Sequence, residues 1–151
     1  MATPLPVRRS LEVAARALLV GFGLVPFLPP LLARVGPLAG AARALDAWFA
    51  FQCERDPARM LGVGAVCARC LGIYAGLGLG ALVARPRWRS PWLELWLGAG
   101  VLAMLADVGS EALGWRPAWA PLRVLTGLLL SYPAALLLIV ALTERRSRPA
   151  P

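Results

Sequence analysis

Four stretches of this sequence are too apolar, and too long, to be folded into a water-soluble domain of its size: residues 17–33, 66–84, 92–114 and 122–142. At 1.5 Å of rise per residue, about 20 apolar residues cross the ~30 Å hydrocarbon core of a bilayer, and each block is near that length. Charged residues are only 16% of the chain, hydrophobic residues 59%, and the mean hydropathy is +0.66. A soluble domain needs more polar surface, so the chain reads as an all-α integral membrane protein. Its 151 residues leave no room for a second core, so residues 1–151 form one membrane domain.

The chain contains no histidine, lysine or asparagine. A histidine-based triad, a histidine metal ligand and an imidazole proton shuttle are therefore excluded. The formal net charge of +8 comes from arginines scattered between apolar blocks. That scatter fits membrane topology and anionic headgroups, so the lipid bilayer is the expected partner and nucleic acid is not.

The blocks differ in kind. The first follows Arg8, Arg9 and Arg16, and Pro26, Pro29 and Pro30 should kink or end its helix near the far end. Arg8–Arg9 with this block loosely resembles a twin-arginine signal, with small residues at 39–44 open to cleavage. The apolar run is longer than a usual signal core, so the block is read as a retained first span. Residues 37–52 are too short and polar to span. Leu38, Ala42, Leu45 and Phe49 recur at helical spacing with Arg43 and Asp46 on the other face, which predicts an amphipathic helix lying in the interface with Trp48 at headgroup level. Trp92, Trp96 and Trp115 flank the third block as interfacial anchors. The expected architecture is four transmembrane helices plus that interfacial helix.

Four spans put the N-terminus, the loop carrying Arg85, Arg87 and Arg89, and the C-terminal Arg145, Arg146 and Arg148 on one side. Raw arginine counts barely separate the two sides, but the compact triplets lie on this one. The expectation is a multi-pass protein of the inner (plasma) membrane with both termini cytoplasmic and residues 53–70 outside.

All three cysteines, Cys53, Cys67 and Cys70, fall in the segment leading into the second block. Cys67, Cys70 and Tyr74, spaced i, i+3, i+7, share one sector of a helix, while Gly72, Gly76 and Gly80 share the opposite one and invite close packing by another helix. Asp107 and Glu111 lie on one face near the outer end of the third block, and Arg123 lies near the outer end of the fourth. Ionisable groups at that depth tend to pair, so Arg123 is expected on Asp107 or Glu111, against the alternative that Arg123 and Glu111 snorkel to the interface.

A Cys-x-x-Cys at a helix start, beside Arg69, favours thiolates. With Cys53 these could form a three-sulfur site for zinc or another thiophilic ion, completed by Glu54, Asp56, Asp107 or water. Alternatively, Cys67 and Cys70 form a redox pair that Cys53 resolves, as in membrane thiol-disulfide oxidoreductases. A third reading is a structural cross-link from Cys53 to Cys67 or Cys70 in a scaffold or transporter-like subunit. None of these fixes a reaction, and a membrane-protein partner or a second copy of the chain is compatible with all three. Arg59 and Arg69 are candidate contacts for anions or headgroups.

The stretch resembles a family of small prokaryotic membrane proteins, the domain-of-unknown-function family 2085. Its pattern of Cys-His, Pro-x-Arg-Ser, Cys-Ala-Arg-Cys-Thr-Gly-x-Tyr-x-Gly, then Asp and Arg-x-x-Thr-Gly is matched by Cys53, Pro57, Arg59, Cys67, Ala68, Arg69, Cys70, Gly72, Tyr74 and Gly76. Asp107, Gly109, Arg123, Thr126 and Gly127 continue the match. The chain departs from the pattern at Glu54 for His, Met60 for Ser and Leu71 for Thr. Glu54 would offer a metal a carboxylate where the family offers imidazole, and removes a base that a redox thiol could use.

Overall fold

The computed structural model describes residues 5–53, 55–62, 64–84 and 91–144, and they form helices joined by short irregular segments. Helix α1 (Leu5–Leu24) runs into a single 3-10 turn at Val25–Phe27 and the short α2 (Leu28–Leu32). Pro26, Pro29 and Pro30 cause the break, because a proline inside a helix removes a donor and crowds the preceding turn. Helix α3 (Ala39–Gln52) follows and packs on α2, burying Ala42 and Phe49. Leu38, expected on that same face, is 43% exposed. The remaining helices are α4 (Ala68–Val83), α5 (Pro91–Ala112) and α6 (Ala120–Glu144).

Among the described residues three helical segments are long and apolar enough to cross a membrane: Arg9–Leu32, Pro91–Ala112 and Ala120–Leu142. The second expected span departs from the prediction. Val66 and Cys67 stay outside α4, since Cys67 pairs with Met60 in an isolated antiparallel bridge and its N–H goes to the Cys53 sulfur. The helix is left with 16 residues, about 24 Å, short of the ~30 Å that a span covers. The Arg85–Arg89 loop, the C-terminal arginines and Glu54, each given a role above, lie outside the described residues.

Contacts fix the directions of the helices. Gly72 of α4 lies on the backbone of Val124, and Gly80 on that of Tyr132, so α4 and α6 run parallel. Helix α5 runs against α6, with Trp96 beside Tyr132 and Asp107 beside Thr126. Helix α1 runs against α4: a Cβ on Gly23 would come within 2.8 Å of the Tyr74 carbonyl, and Arg16 Nη1 donates to the Ala81 carbonyl at 2.8 Å. The cysteine end of α4, the C-terminus of α5, the N-terminus of α6 and the α1–α2 break therefore share one end of the bundle.

The α4–α6 seam is the most extensive helix contact. Gly72, Gly76 and Gly80 all face it, and a Cβ on Gly80 would meet the Tyr132 carbonyl at 2.6 Å. Small residues let backbones approach this closely in a lipid setting, where association relies on packing rather than on water exclusion. Ser131 donates to the Gly127 carbonyl (2.8 Å) within α6, at the contact with Gly76. Pro133 cannot donate to the Leu129 carbonyl four residues back, and that carbonyl faces Gly100 of α5.

Candidate functional site

Two groups of reactive side chains occupy the shared end, on either side of the first turn of α4. The first is the sulfur group. Cys53 ends α3, its N–H bonded to the Phe49 carbonyl at 2.9 Å. Cys67 precedes α4 and Cys70 lies in its first turn. The bridge to Met60 and a hydrogen bond from Ala65 N–H to the Pro26 carbonyl (3.0 Å) hold the intervening loop against the α1–α2 break. As a result the three sulfurs lie within 4.8 Å of one another, with Cys53 and Cys67 buried, Cys70 half-buried and none in a disulfide.

The walls around the sulfurs are apolar: Phe49, Ala65, Val66, Leu71 and Tyr74, with Val25 and Phe27 beyond. The Tyr74 ring stacks edge-on against Phe49 at 5.9 Å, and its hydroxyl donates to Gln52 Oε1 at 3.4 Å. Burial raises the Cys53 thiol above its ordinary range. Cys67 is drawn down to about 5, chiefly by its hydrogen bond with the Cys70 thiol, with further help from the backbone N–H groups of Cys70 and Arg69. Of the three sulfurs, Cys67 is the one whose surroundings favour negative charge, with the Cys70 thiol donating to it.

The second group is ionic. Arg69 leaves α4 away from the sulfurs and donates to Asp107 Oδ2 through Nη2 (2.6 Å) and Nε (3.1 Å), and it lies 3.5 Å from Glu111. Arg123, 1% exposed, pairs with Glu111, the second of the two carboxylates the sequence offered it; this buried pair replaces snorkelling. Arg59 bridges Asp56 and Glu111, each at 3.3 Å. Thr126 donates to Asp107 Oδ2 at 3.3 Å. Arg59 and Arg69, considered above as anion or headgroup contacts, each also engage carboxylates of the protein itself.

Sequence reasoning missed Arg116, which pairs with Asp107 from the other side and donates through Nε to Ser110 Oγ at 2.9 Å. Gly114, with φ +70°, carries the reversal that brings it there. Gly114 N–H bonds to the Glu111 carbonyl (3.0 Å) and Trp115 N–H to that of Ser110 (2.9 Å), a Schellman ending to α5. The glycine closing the third apolar block was the available signal.

A family model described as predicted membrane protein (DUF2085) matches residues 53–137, from the first cysteine through most of α6. No curated protein and no solved structure matches the chain.

Proposed function

This chain belongs to the DUF2085 family of predicted membrane proteins, and we propose that it is a four-span metal-binding module of the inner (plasma) membrane. In this reading Cys53, Cys67 and Cys70 hold zinc or another thiophilic ion on the outer side, and both termini are cytoplasmic. The observation that carries it is the mutual approach of three mostly buried sulfurs to within 4.8 Å.

Two sulfurs on tetrahedral zinc, each ~2.3 Å from the metal, are ~3.8 Å apart. The group therefore needs to contract by about 1 Å at its widest. Three thiolates with a hard fourth donor suit a thiophilic ion, and the carboxylate next to Cys53 in sequence is Glu54. The Cys67 N–H, 3.2 Å from the Cys53 sulfur, supports that sulfur as a thiolate against the burial that raises its thiol. Helix α4 serves as the fourth span here because its ends are completed by protein: the loop 60–67 at one end, and Arg16 from α1 at the other. The apolar helices supply the contact with lipid.

The test is metal content of the full-length protein purified in detergent without chelator, by inductively coupled plasma mass spectrometry. We expect about one equivalent of zinc or a similar ion in the native chain, and occupancy reduced at least tenfold in Cys53→Ser. Uptake by the stripped protein should release protons and weaken as pH falls, because Cys53 must ionise to bind. A metal-free preparation that also takes up no added zinc overturns the reading.

A further inference from the structure

Behind Arg69, away from the sulfurs, α5 and α6 enclose a cavity of about 150 Å³ lined by Arg59, Arg69, Val108, Glu111, Ala112 and Arg123. Three guanidinium groups and one carboxylate form its polar wall. Asp107, one turn away, is already taken up by Arg69 and Arg116, and Asp56 by Arg59 and the Ala58 N–H.

Arg123 adds an independent observation. Its residue is 1% exposed, and although Nη2 pairs with Glu111, its Nε has no hydrogen-bond partner. Buried polar groups in folded proteins are rarely left so, and an unpaired donor on a buried cation calls for an acceptor. A wall of three guanidinium groups and one carboxylate repels a metal ion. The volume is below the ~300–1,000 Å³ of pockets for larger organic ligands. A small anion with several oxygens meets both limits, and the planar fork of arginine matches its geometry.

We propose that this cavity is a binding site for a phosphate-type oxyanion, held by Arg59, Arg69 and Arg123, with Glu111 fixing the orientation of the three guanidinium groups. The cavity opens at the end of the bundle where α5 ends and α6 begins, so a free oxyanion and the phosphate of a lipid headgroup present the same chemistry to it. The site is separate from the sulfur group and needs no metal.

The experiment uses the full-length protein in neutral detergent with EDTA present, so its result is independent of metal binding. Inorganic phosphate is titrated at constant ionic strength against chloride, followed by thermal unfolding and calorimetry. In parallel, protein in nanodiscs of phosphatidylcholine with phosphatidylglycerol is examined by native mass spectrometry for retained anionic lipid. Saturable phosphate binding that weakens at least tenfold in Arg59→Gln, on the exposed wall, assigns a free oxyanion. One phosphatidylglycerol retained by the native chain and lost in Arg59→Gln, with phosphate failing to displace it, assigns the lipid source. Arg69→Gln should repeat whichever loss is seen, with Asp107 still held by Arg116. If the native chain binds neither ligand, or both variants bind as it does, the proposal is overturned.

Discussion

The glycine face of α4 and its sulfur face begin within one turn of each other, at Gly72 and Cys70, yet they are built for opposite purposes. On the glycine side there is no space at all: a Cβ at Gly72 would strike the Val124 backbone, and one at Gly80 would come within 2.9 Å of the Ala135 side chain. On the sulfur side the side chains touch apolar neighbours and one another, and the nearby Cys67 N–H donates to the Cys53 sulfur. The first face fixes where α4 stands against α6, and the second uses that fixed position to present reactive groups. Precision is supplied by residues that carry no chemistry.

The largest effect that could break this comparison is at the seam. Gly72→Leu forces a side chain into the Val124 backbone, which cannot move aside as a flexible side chain could. Destabilisation of at least ~3 kcal/mol, the upper end of overpacking costs, is expected. Fluorescence-detected size exclusion should show loss of the folded peak. Gly98→Leu on α5, where nothing lies within 4 Å, should leave the peak in place. Equal behaviour of the two variants would mean that the α4–α6 contact does not hold the fold.

An intermediate effect is expected at the ionic group. Arg123→Leu strands Glu111 with only the more exposed Arg59 and the longer contact to Arg69. Breaking a buried pair one-sidedly costs ~3–5 kcal/mol, and the remaining arginines should reduce this to about 2 kcal/mol. Arg123→Leu with Glu111→Leu should recover part of that loss in thermal unfolding. No recovery would show that Arg123 acts independently of its partner.

The smallest effect sharpens the contrast between buried and exposed pairs. Arg55 donates to both oxygens of Asp46, at 2.9 and 3.0 Å, and this holds the Asp46 carboxyl below the usual carboxylate range. A lowered folded-state value stabilises above the unfolded carboxylate pKa of ~3.9, and that stability is lost as pH falls through the folded value. The pair is partly exposed, with half of the Asp46 side chain in solvent, so Asp46→Asn should cost no more than about 0.5 kcal/mol at neutral pH. Its difference from the native chain should vanish in acid, as read from melting temperatures across pH.

Much of this was legible in residue spacing. The proline break, the approximate bounds of α5 and α6 and the glycine face follow from residue type and spacing within single helices. Matching depths along the helices put Asp107 and Arg123 at the cysteine end of the bundle, though in a separate group from the sulfurs. What was not legible depends on loops. The start of α4 could not be read because Val66 and Cys67 are apolar enough to pass for helix, and only the bridge to Met60 and the bond to Cys53 hold them out of it. The partnership of Arg69 with Asp107 depends on how α4 is rotated, and that of Arg116 on the reversal at Gly114. Neither rotation nor reversal has a local sequence period.

Arg16 has a consequence for how the protein is made. Its guanidinium, braced by Glu12 at 2.8 Å, reaches the carbonyls of Ala81 and Ala84 at the far end of α4. A helix released alone into acyl chains would carry those acceptors unsatisfied, a heavy penalty that its modest length does little to offset. Threading into the bilayer should therefore be ordered. In the four-span arrangement proposed above, α1 is made before α4 and holds its cation ready, so the shorter helix would enter as its companion rather than as an independent passenger.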